Sequence, residues 1–286
     1  MTANALDNAY QYCLNLAQQH YENFPVASFA LPKKLRKPIA VIYTFARIAD
    51  DYADEGNHSP QTRLDLLDQH REKLNAVDCG NPVDDLLFIA LDDVMKKHDL
   101  PINLFHNLIT AFTQDVTKNR YQNYDEVLTY CRLSANPVGR LLLHLYGEAN
   151  DKNLAHSDAI CSALQLINFW QDLQQDYRES NRIYLPLDEM KDYGVSEDHL
   201  KYNRSDNSFQ ALMDMQITRT RKLMLSGIPL STQLPGRLGF ELRLTTQGGL
   251  LILDALDTQR NNVFARPRLS KRDWLKILGR AIFKFT

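Results

Sequence analysis

The chain has 286 residues and no apolar run approaching the ~18–20 residues of a membrane span. The first residues, MTANALDNAYQYC, offer neither a basic start nor an apolar stretch, so no secretory signal is expected. Strand-like alternation is nearly absent, which argues against a sheet. Cysteine is scarce and scattered: Cys13, Cys79, Cys131 and Cys161 form no CxxC pair and read as buried small residues in a reducing cytosol. There is no excess of base; the net charge of −2 excludes the strongly basic footprint of a nucleic-acid binder. No GxGxxG loop follows a strand, so nothing indicates a dinucleotide site, and the histidines show no HExxH spacing. Ser28 and Ser134 have no His–Asp arrangement readable beside them, which sets aside a hydrolase triad.

What the chain does have is helical periodicity from end to end. Leu6, Ala9, Tyr10, Cys13, Leu16 and Ala17 keep three-to-four spacing, as do Ile39, Ile42, Tyr43, Ala46 and Ala49. Helices are expected near 62–77, 83–97, 101–117, 124–133, 137–147, 154–178, 208–226, 236–260 and 271–284. The polar stretch 179–207 reads as a mobile loop. The simplest architecture is one all-α domain over residues 1–286, with 266–286 a basic amphipathic C-terminal segment.

Two acidic segments stand out. Asp50 and Asp54 are four residues apart, with Asp51 beside them; Asp172 and Asp176 repeat the spacing. Each pair projects from one helix face a single turn apart, where like charges cost ~0.2–0.5 kcal/mol per pair. Such a cost, borne twice beside apolar runs, implies a compensating cation. Hard divalent ions such as Mg²⁺ take oxygen ligands and join carboxylates to substrate phosphates. A solvated helix end with local ion pairs is the alternative for the first motif, where Arg47 precedes Asp50 by three and Asp51 by four.

The second helix is apolar nearly all round between Ala159 and Trp170, the mark of a buried helix, yet Gln165, Asn168, Asp172 and Asp176 form one polar stripe. Buried polar groups need partners, so the stripe is expected to face a polar cavity, an ion or a ligand. Arg47 and Arg182 are candidate direct partners of a polyphosphate. Phe24, Tyr43, Tyr130, Phe169 and Trp170 could present ring faces to a cation, or could simply pack. Ala135 and Gly139 are small enough to leave room for a long chain.

These segments resemble the two Asp-rich motifs of the head-to-head prenyl synthases, the squalene, phytoene and dehydrosqualene synthases. The motifs are ARIADDYAD, then QLINFWQDLQQD followed by RESNRIYLP, which contains Arg182 and Tyr184. Between them, DVTKNRYQNYDEVLTYCRLSANPVGRLLL is similar to the family's central segment, and the likeness spans about residues 10–265. It implies an all-α, single-domain isoprenoid synthase-type helical bundle around a central cavity, Mg²⁺ dependence and C15 prenyl diphosphate chemistry. HYENFPVASFALP replaces the family's Ser-rich element; with SANPVG and RPRLSKRDW it resembles the hydroxysqualene synthase branch of bacterial hopanoid pathways.

The resemblance implies conversion of presqualene diphosphate and water to hydroxysqualene and diphosphate. Alternatives are condensation of two farnesyl diphosphates to presqualene diphosphate, squalene or dehydrosqualene, or a non-catalytic assembly factor of the same fold. Asp50, Asp54, Asp172 and Asp176 are expected to hold Mg²⁺, with Asp51 and Asn168 assisting, and Arg47 and Arg182 to bind the diphosphate. The family likeness puts Tyr130, Ala135, Gly139 and Gln165 on the cavity wall. Tyr43, Gln165, Asn168 or Asn136 could position the water. The C-terminal stretch holds seven Lys or Arg against one acid with apolar residues interleaved, suiting either peripheral contact with an anionic membrane or a packed helix with a basic face. The expected setting is cytoplasmic, peripheral at the inner face of the membrane, with other squalene-pathway enzymes as possible partners.

Overall fold

The computed structural model describes residues 3–19, 32–259 and 262–283. Those residues form α-helices and no sheet; one isolated parallel bridge pairs Arg120 with Ile183. They cluster into two compact units: residues 1–117 with 137–149, and residues 118–136 with 150–286.

The first unit contains α1 (Ala3–Gln19), α2 (Lys33–Asp54), α3 (Pro60–Asp78), α4 (Leu86–His98), α5 (Ile102–Thr117) and nearly all of α7 (Asn136–Tyr146). Its core centres on Phe45, which meets Phe105 and Phe88 edge-on at 5.1 and 6.1 Å and His70 at 4.5 Å between ring centres. Edge-to-face pairing puts a positive ring edge on a negative face. Burial in this apolar nest pushes the His70 pKa down from 6.5 to about 4. The start of α3 follows from its sequence: Ser59 Oγ accepts from the Thr62 amide at 3.1 Å, and Pro60 occupies the first turn.

The second unit contains α6 (Tyr124–Ser134), α8 (Asp151–Gln171), α9 (Leu173–Ser180), α10 (Leu187–Asp192), α11 (Glu197–Lys201), α12 (Asn207–Gly227), α13 (Pro229–Gln233), α14 (Gly236–Thr258) and α15 (Lys271–Phe283). α8 is its spine and packs along α12. At their crossing sits Gly227, where an added Cβ would lie 2.6 Å from the His156 carbonyl oxygen and from Ile160 Cγ1. Trp170, fully buried, donates its indole N–H to Thr220 Oγ1 at 2.9 Å. Asn150, Asn123 and Asp206 each cap a helix by accepting a backbone N–H three residues on.

Three expectations need correction. The helix expected over 154–178 breaks at Asp172, which leaves helical geometry (φ −106°, ψ 14°) between α8 and α9. The stretch 179–207, expected to be a mobile loop, holds α10 and α11 and buries Ile183, Tyr184, Leu185, Met190, Val195 and Leu200. Backbone bonds tie it down: the amides of Ile183, Leu187 and Asp188 donate to the carbonyls of Asn119, Tyr121 and Gln122 at 2.9–3.1 Å. Of the cysteines expected to be buried, Cys79 is exposed and Cys161 only partly covered; Cys13 and Cys131 are buried.

Candidate functional site: two acidic clusters

In the first unit, Tyr43, Arg47, Asp50, Asp51 and Asp54 lie along one face of α2, as their spacing requires. The apolar face of the helix buries Ile39, Ile42, Phe45 and Ala49 and fixes which way the acids point. Arg47 bridges its own helix, 2.5 Å from Asp51 and 3.5 Å from Asp50, and reaches Glu55 at 3.6 Å. The local ion pairs weighed for this motif therefore form. Asp54 is exposed at the end of the helix. Burial pushes the Tyr43 phenol above its ordinary pKa; Arg47 opposes that shift, and Asp51 and Asp50 add to it. The end of α2 is held by Arg63, whose guanidinium donates to the carbonyls of Tyr52, Glu55 and Gly56 at 3.3, 3.0 and 2.8 Å. A cation there satisfies orphan carbonyls and complements the negative end of the helix dipole. Gly139 also lies in this unit, on α7 and partly buried.

In the second unit, Gln165 and Asn168 lie on the last turns of α8, Asn168 exposed and Gln165 partly buried. Asp172 follows at the helix break and Asp176 on α9. Arg266 grips Asp172 in a two-pronged pair, Nε to Oδ1 at 2.5 Å and Nη2 to Oδ2 at 2.9 Å. Pro267, next in the chain, accepts a hydrogen bond from the Gln171 side chain. Burial raises the Asp172 pKa and Arg266 works against it. Burial, then the neighbouring Asp172, push the Asp176 carboxyl up from 3.8 to about 7, despite Arg182. Asn181, in the left-handed region at φ 52°, ends α9 and turns the chain so that the Arg182 amide reaches the Asp176 carbonyl at 3.0 Å.

The aromatic candidates of this unit form one stack. Phe169 and Tyr184 lie parallel at 3.6 Å, Tyr130 sits 6.0 Å from Phe169 and 5.7 Å from Tyr184, and Tyr121 stacks on Tyr184 at 5.4 Å. Tyr130 and Tyr184 are buried and Ala135 caps α6. Trp170, with its indole bond to Thr220, is plain core. Asn136, one of the water-positioning candidates, is buried and accepts from Ser162 at 2.8 Å. Phe24, Ser28 and the HYENFPVASFALP stretch other than Pro32 lie outside the described residues.

The donor chemistry suits a hard divalent ion: oxygen only, supplied by carboxylates a turn apart, one pair of which burial disfavours in its charged form. Among the described residues no three acidic, His or Cys side chains are grouped to hold an ion by themselves.

A family model described as squalene/phytoene synthase matches residues 17–274. The chain belongs to the squalene/phytoene synthase family. Its relatives include a hydroxysqualene synthase of Rhodopseudomonas palustris, 36% identical over 92% of this chain and 87% of the relative. A phytoene synthase of Arthrospira platensis is 30% identical over 75% of this chain and 73% of its own. Among solved structures, the squalene synthase HpnC from Alicyclobacillus acidocaldarius superposes with a TM-score of 0.84 at 32% identity, covering 91% of this chain and 97% of the other. A ligand-bound dehydrosqualene synthase, at a TM-score of 0.81 and 21% identity over 98% and 97% of the two chains, shares the fold. The chain is thus an all-α, prenyl diphosphate-processing enzyme of this family, and no helix among the described residues is long and apolar enough to cross a membrane.

Three residues of this family member were not singled out from sequence: Arg63, Arg266 and Arg120. Arg120 holds the turn after α9, bonding Asn181 Oδ1 at 3.0 Å and Glu197 at 2.7 Å. Their partners are distant in sequence or are backbone carbonyls, and neither leaves a local pattern. The single signal was RPRLSKRDW, where Arg266 already stood out as part of a basic run.

Proposed function

We propose that this enzyme ionises presqualene diphosphate and captures the cation with water, releasing hydroxysqualene and diphosphate. The observation that carries the reading is the Asp172–Asp176 pair, two carboxylates one turn apart, of which Asp176 has its pKa raised to about 7, first by burial and then by the charge of Asp172. Such a pair suits a Mg²⁺-bound diphosphate. Mg²⁺ would be held by Asp50 and Asp54 of the first motif and Asp172 and Asp176 of the second, with Asp51 and Asn168 assisting, and would ease departure of the diphosphate as a Lewis acid.

The remaining work falls to this chain's own groups. Arg47 and Arg182 supply charge-assisted hydrogen bonds to diphosphate oxygens, and Arg266, already seated on Asp172, is placed to do the same. Phe24, Tyr130, Ala135, Gly139, Gln165 and Tyr184 bind the isoprenoid and keep bulk water from the cation. Tyr43 turns either its ring face or its hydroxyl to that cation, the hydroxyl positioning the attacking water. The choice of water as quencher rests on the hydroxysqualene synthase relatives. Peripheral contact with a membrane and association with other enzymes of the same pathway belong to this proposal.

A second reading, condensation of two farnesyl diphosphates, is favoured by the likeness to the Alicyclobacillus squalene synthase. Purified protein with Mg²⁺ and presqualene diphosphate, or farnesyl diphosphate alone, separates the two by mass spectrometry of the products. Hydroxysqualene from presqualene diphosphate, lost on Asp50→Asn or Asp172→Asn with the fold intact, is the expected result. Efficient consumption of farnesyl diphosphate alone would overturn the water-capture reading, and full activity of both variants would overturn the metal site.

A further inference from the structure

α15 carries two rows of side chains with different chemistry. Ile277 and Ala281 are fully buried against α14 and fasten the helix to its unit. Beside them Trp274, Leu278 and Ile282 follow one another a turn apart, with Leu275 next to them, and these four are 56%, 44%, 56% and 71% exposed. Scattered exposed apolar residues are ordinary, but a contiguous row marks an interaction surface. On the other side Arg272, Lys276 and Arg280 repeat at the same interval, all exposed, with Arg280 also donating to Gln247 at 3.3 Å, and Lys271 opens the helix. The helix's one acid, Asp273, is engaged: Ser270 donates its amide and hydroxyl to it at 2.9 and 2.6 Å, and Lys276 lies 3.5 Å away.

We propose that α15 lies flat on an anionic lipid bilayer, with Trp274, Leu275, Leu278 and Ile282 entering the boundary between headgroups and acyl chains. Lys271, within the apolar row, and Arg272, at its edge, pair with lipid phosphates alongside, while Lys276 and Arg280 on the far side add longer-range attraction. Charge complementarity selects lipid over protein as the occupant. The C-terminal segment holds seven Lys or Arg against one acid, in a chain whose net charge is −2. The rest of the molecule is therefore net negative, so an anionic surface attracts this helix and repels the remainder, which fixes one orientation. Tryptophan at the edge of such a stripe fits the interface, since its ring is apolar and its N–H seeks water. This deepens the peripheral-membrane part of the function proposed above. Binding is read without turnover, so failure here leaves the reaction standing, and failure of the reaction leaves the surface standing.

The test uses the full chain and its own tryptophans. Trp170 is buried and hydrogen-bonded, so lipid-dependent emission changes report on Trp274. Vesicles of phosphatidylglycerol with phosphatidylcholine should float the protein and shift its emission to the blue. Pure phosphatidylcholine vesicles, or about 0.5 M salt, should weaken binding about ten-fold or more. Leu275→Asp with Leu278→Asp, and separately Arg272→Glu with Lys276→Glu, should each lose binding by about ten-fold. Both should keep the wild-type melting profile and wild-type turnover of detergent-dispersed substrate. No binding to anionic vesicles, or binding that both variants retain, would overturn the proposal. So would lipid-free self-association that Leu275→Asp abolishes, which would assign the stripe to a second copy of the chain.

Discussion

Asp176→Asn should make the metal-free protein more stable while removing its activity. Folding raises the Asp176 pKa from 3.8 to about 7, chiefly by burial and by the charge of Asp172. Below pH 3.8 the carboxyl is protonated in both states and contributes nothing. Between there and pH 7 the folded state holds a proton that the unfolded state has released, so stability falls as pH rises; above pH 7 the loss is complete. A shift of that size corresponds to a ceiling of ~4 kcal/mol, and the partial exposure of the site lowers this to about 1–3 kcal/mol. Asparagine keeps the shape and cannot ionise. In EDTA at pH 8 the variant should melt about 2–8 °C above the wild type, with the gain shrinking towards pH 4. Mg²⁺ with inorganic diphosphate should then raise the wild-type melting temperature more than the variant's. Diphosphate release from presqualene diphosphate should fall at least ~100-fold in the variant, as loss of Lewis-acid assistance worth several kcal/mol requires. A variant less stable than wild type at pH 8, or one whose gain is the same at pH 5 and pH 8, would refute the reasoning.

Gly227→Ala should destabilise the protein by about 1–3 kcal/mol, because the new methyl meets the His156 carbonyl oxygen at 2.6 Å and backbone cannot yield cheaply. Alanine would otherwise gain up to ~1 kcal/mol in a helix, so a stabilised variant in urea denaturation would contradict the close α8–α12 packing. His70→Phe should flatten the acid side of the stability profile. As pH falls below 6.5 the unfolded chain takes up a proton that the buried imidazole refuses down to about pH 4, so wild-type stability is lost across that window. Denaturation at pH 7 and pH 5 should show a drop about 2 kcal/mol smaller in the variant, and equal drops would rule out His70 as the cause.

Helix positions were legible wherever one apolar stripe met solvent on its other side. The helix expected over 62–77 is Pro60–Asp78, and that over 208–226 is Asn207–Gly227. Both faces of such helices are encoded in the local sequence, and their caps, Ser59 and Asp206, stand three and two residues before the expected starts. The break at Asp172 was not legible, because Asn168, Asp172 and Asp176 keep perfect helical spacing and their backbone bonds continue across it at 2.9 Å. Nor was the order of 179–207. Its composition is polar, and what fixes it is pairing with residues 119–122, some sixty positions earlier. The acids of the site were legible as a pattern, and so were Arg47 and Arg182; Arg63 and Arg266, which offset a helix end and Asp172, were not.

Those arginines divide the two motifs into unlike halves. On α2 the compensation is local: Arg47 bonds acids on its own helix, and Arg63, only a short turn away, neutralises the helix end. At Asp172 the compensation comes from Arg266, 94 residues along the chain, and it leaves Asp176 with a raised pKa. Arg266 is itself 44% exposed, on a segment bonded to the end of α8 through Pro267. Its guanidinium fills the Asp172 carboxylate fork, so a divalent ion at that carboxylate must displace or share it. The first motif is thus paired within its own helix, whereas in the second burial opposes the charged form of both carboxylates despite their arginines. Free energy from binding metal and diphosphate should accordingly be felt most at α8 and α9, where burial raises the pKa of both Asp172 and Asp176.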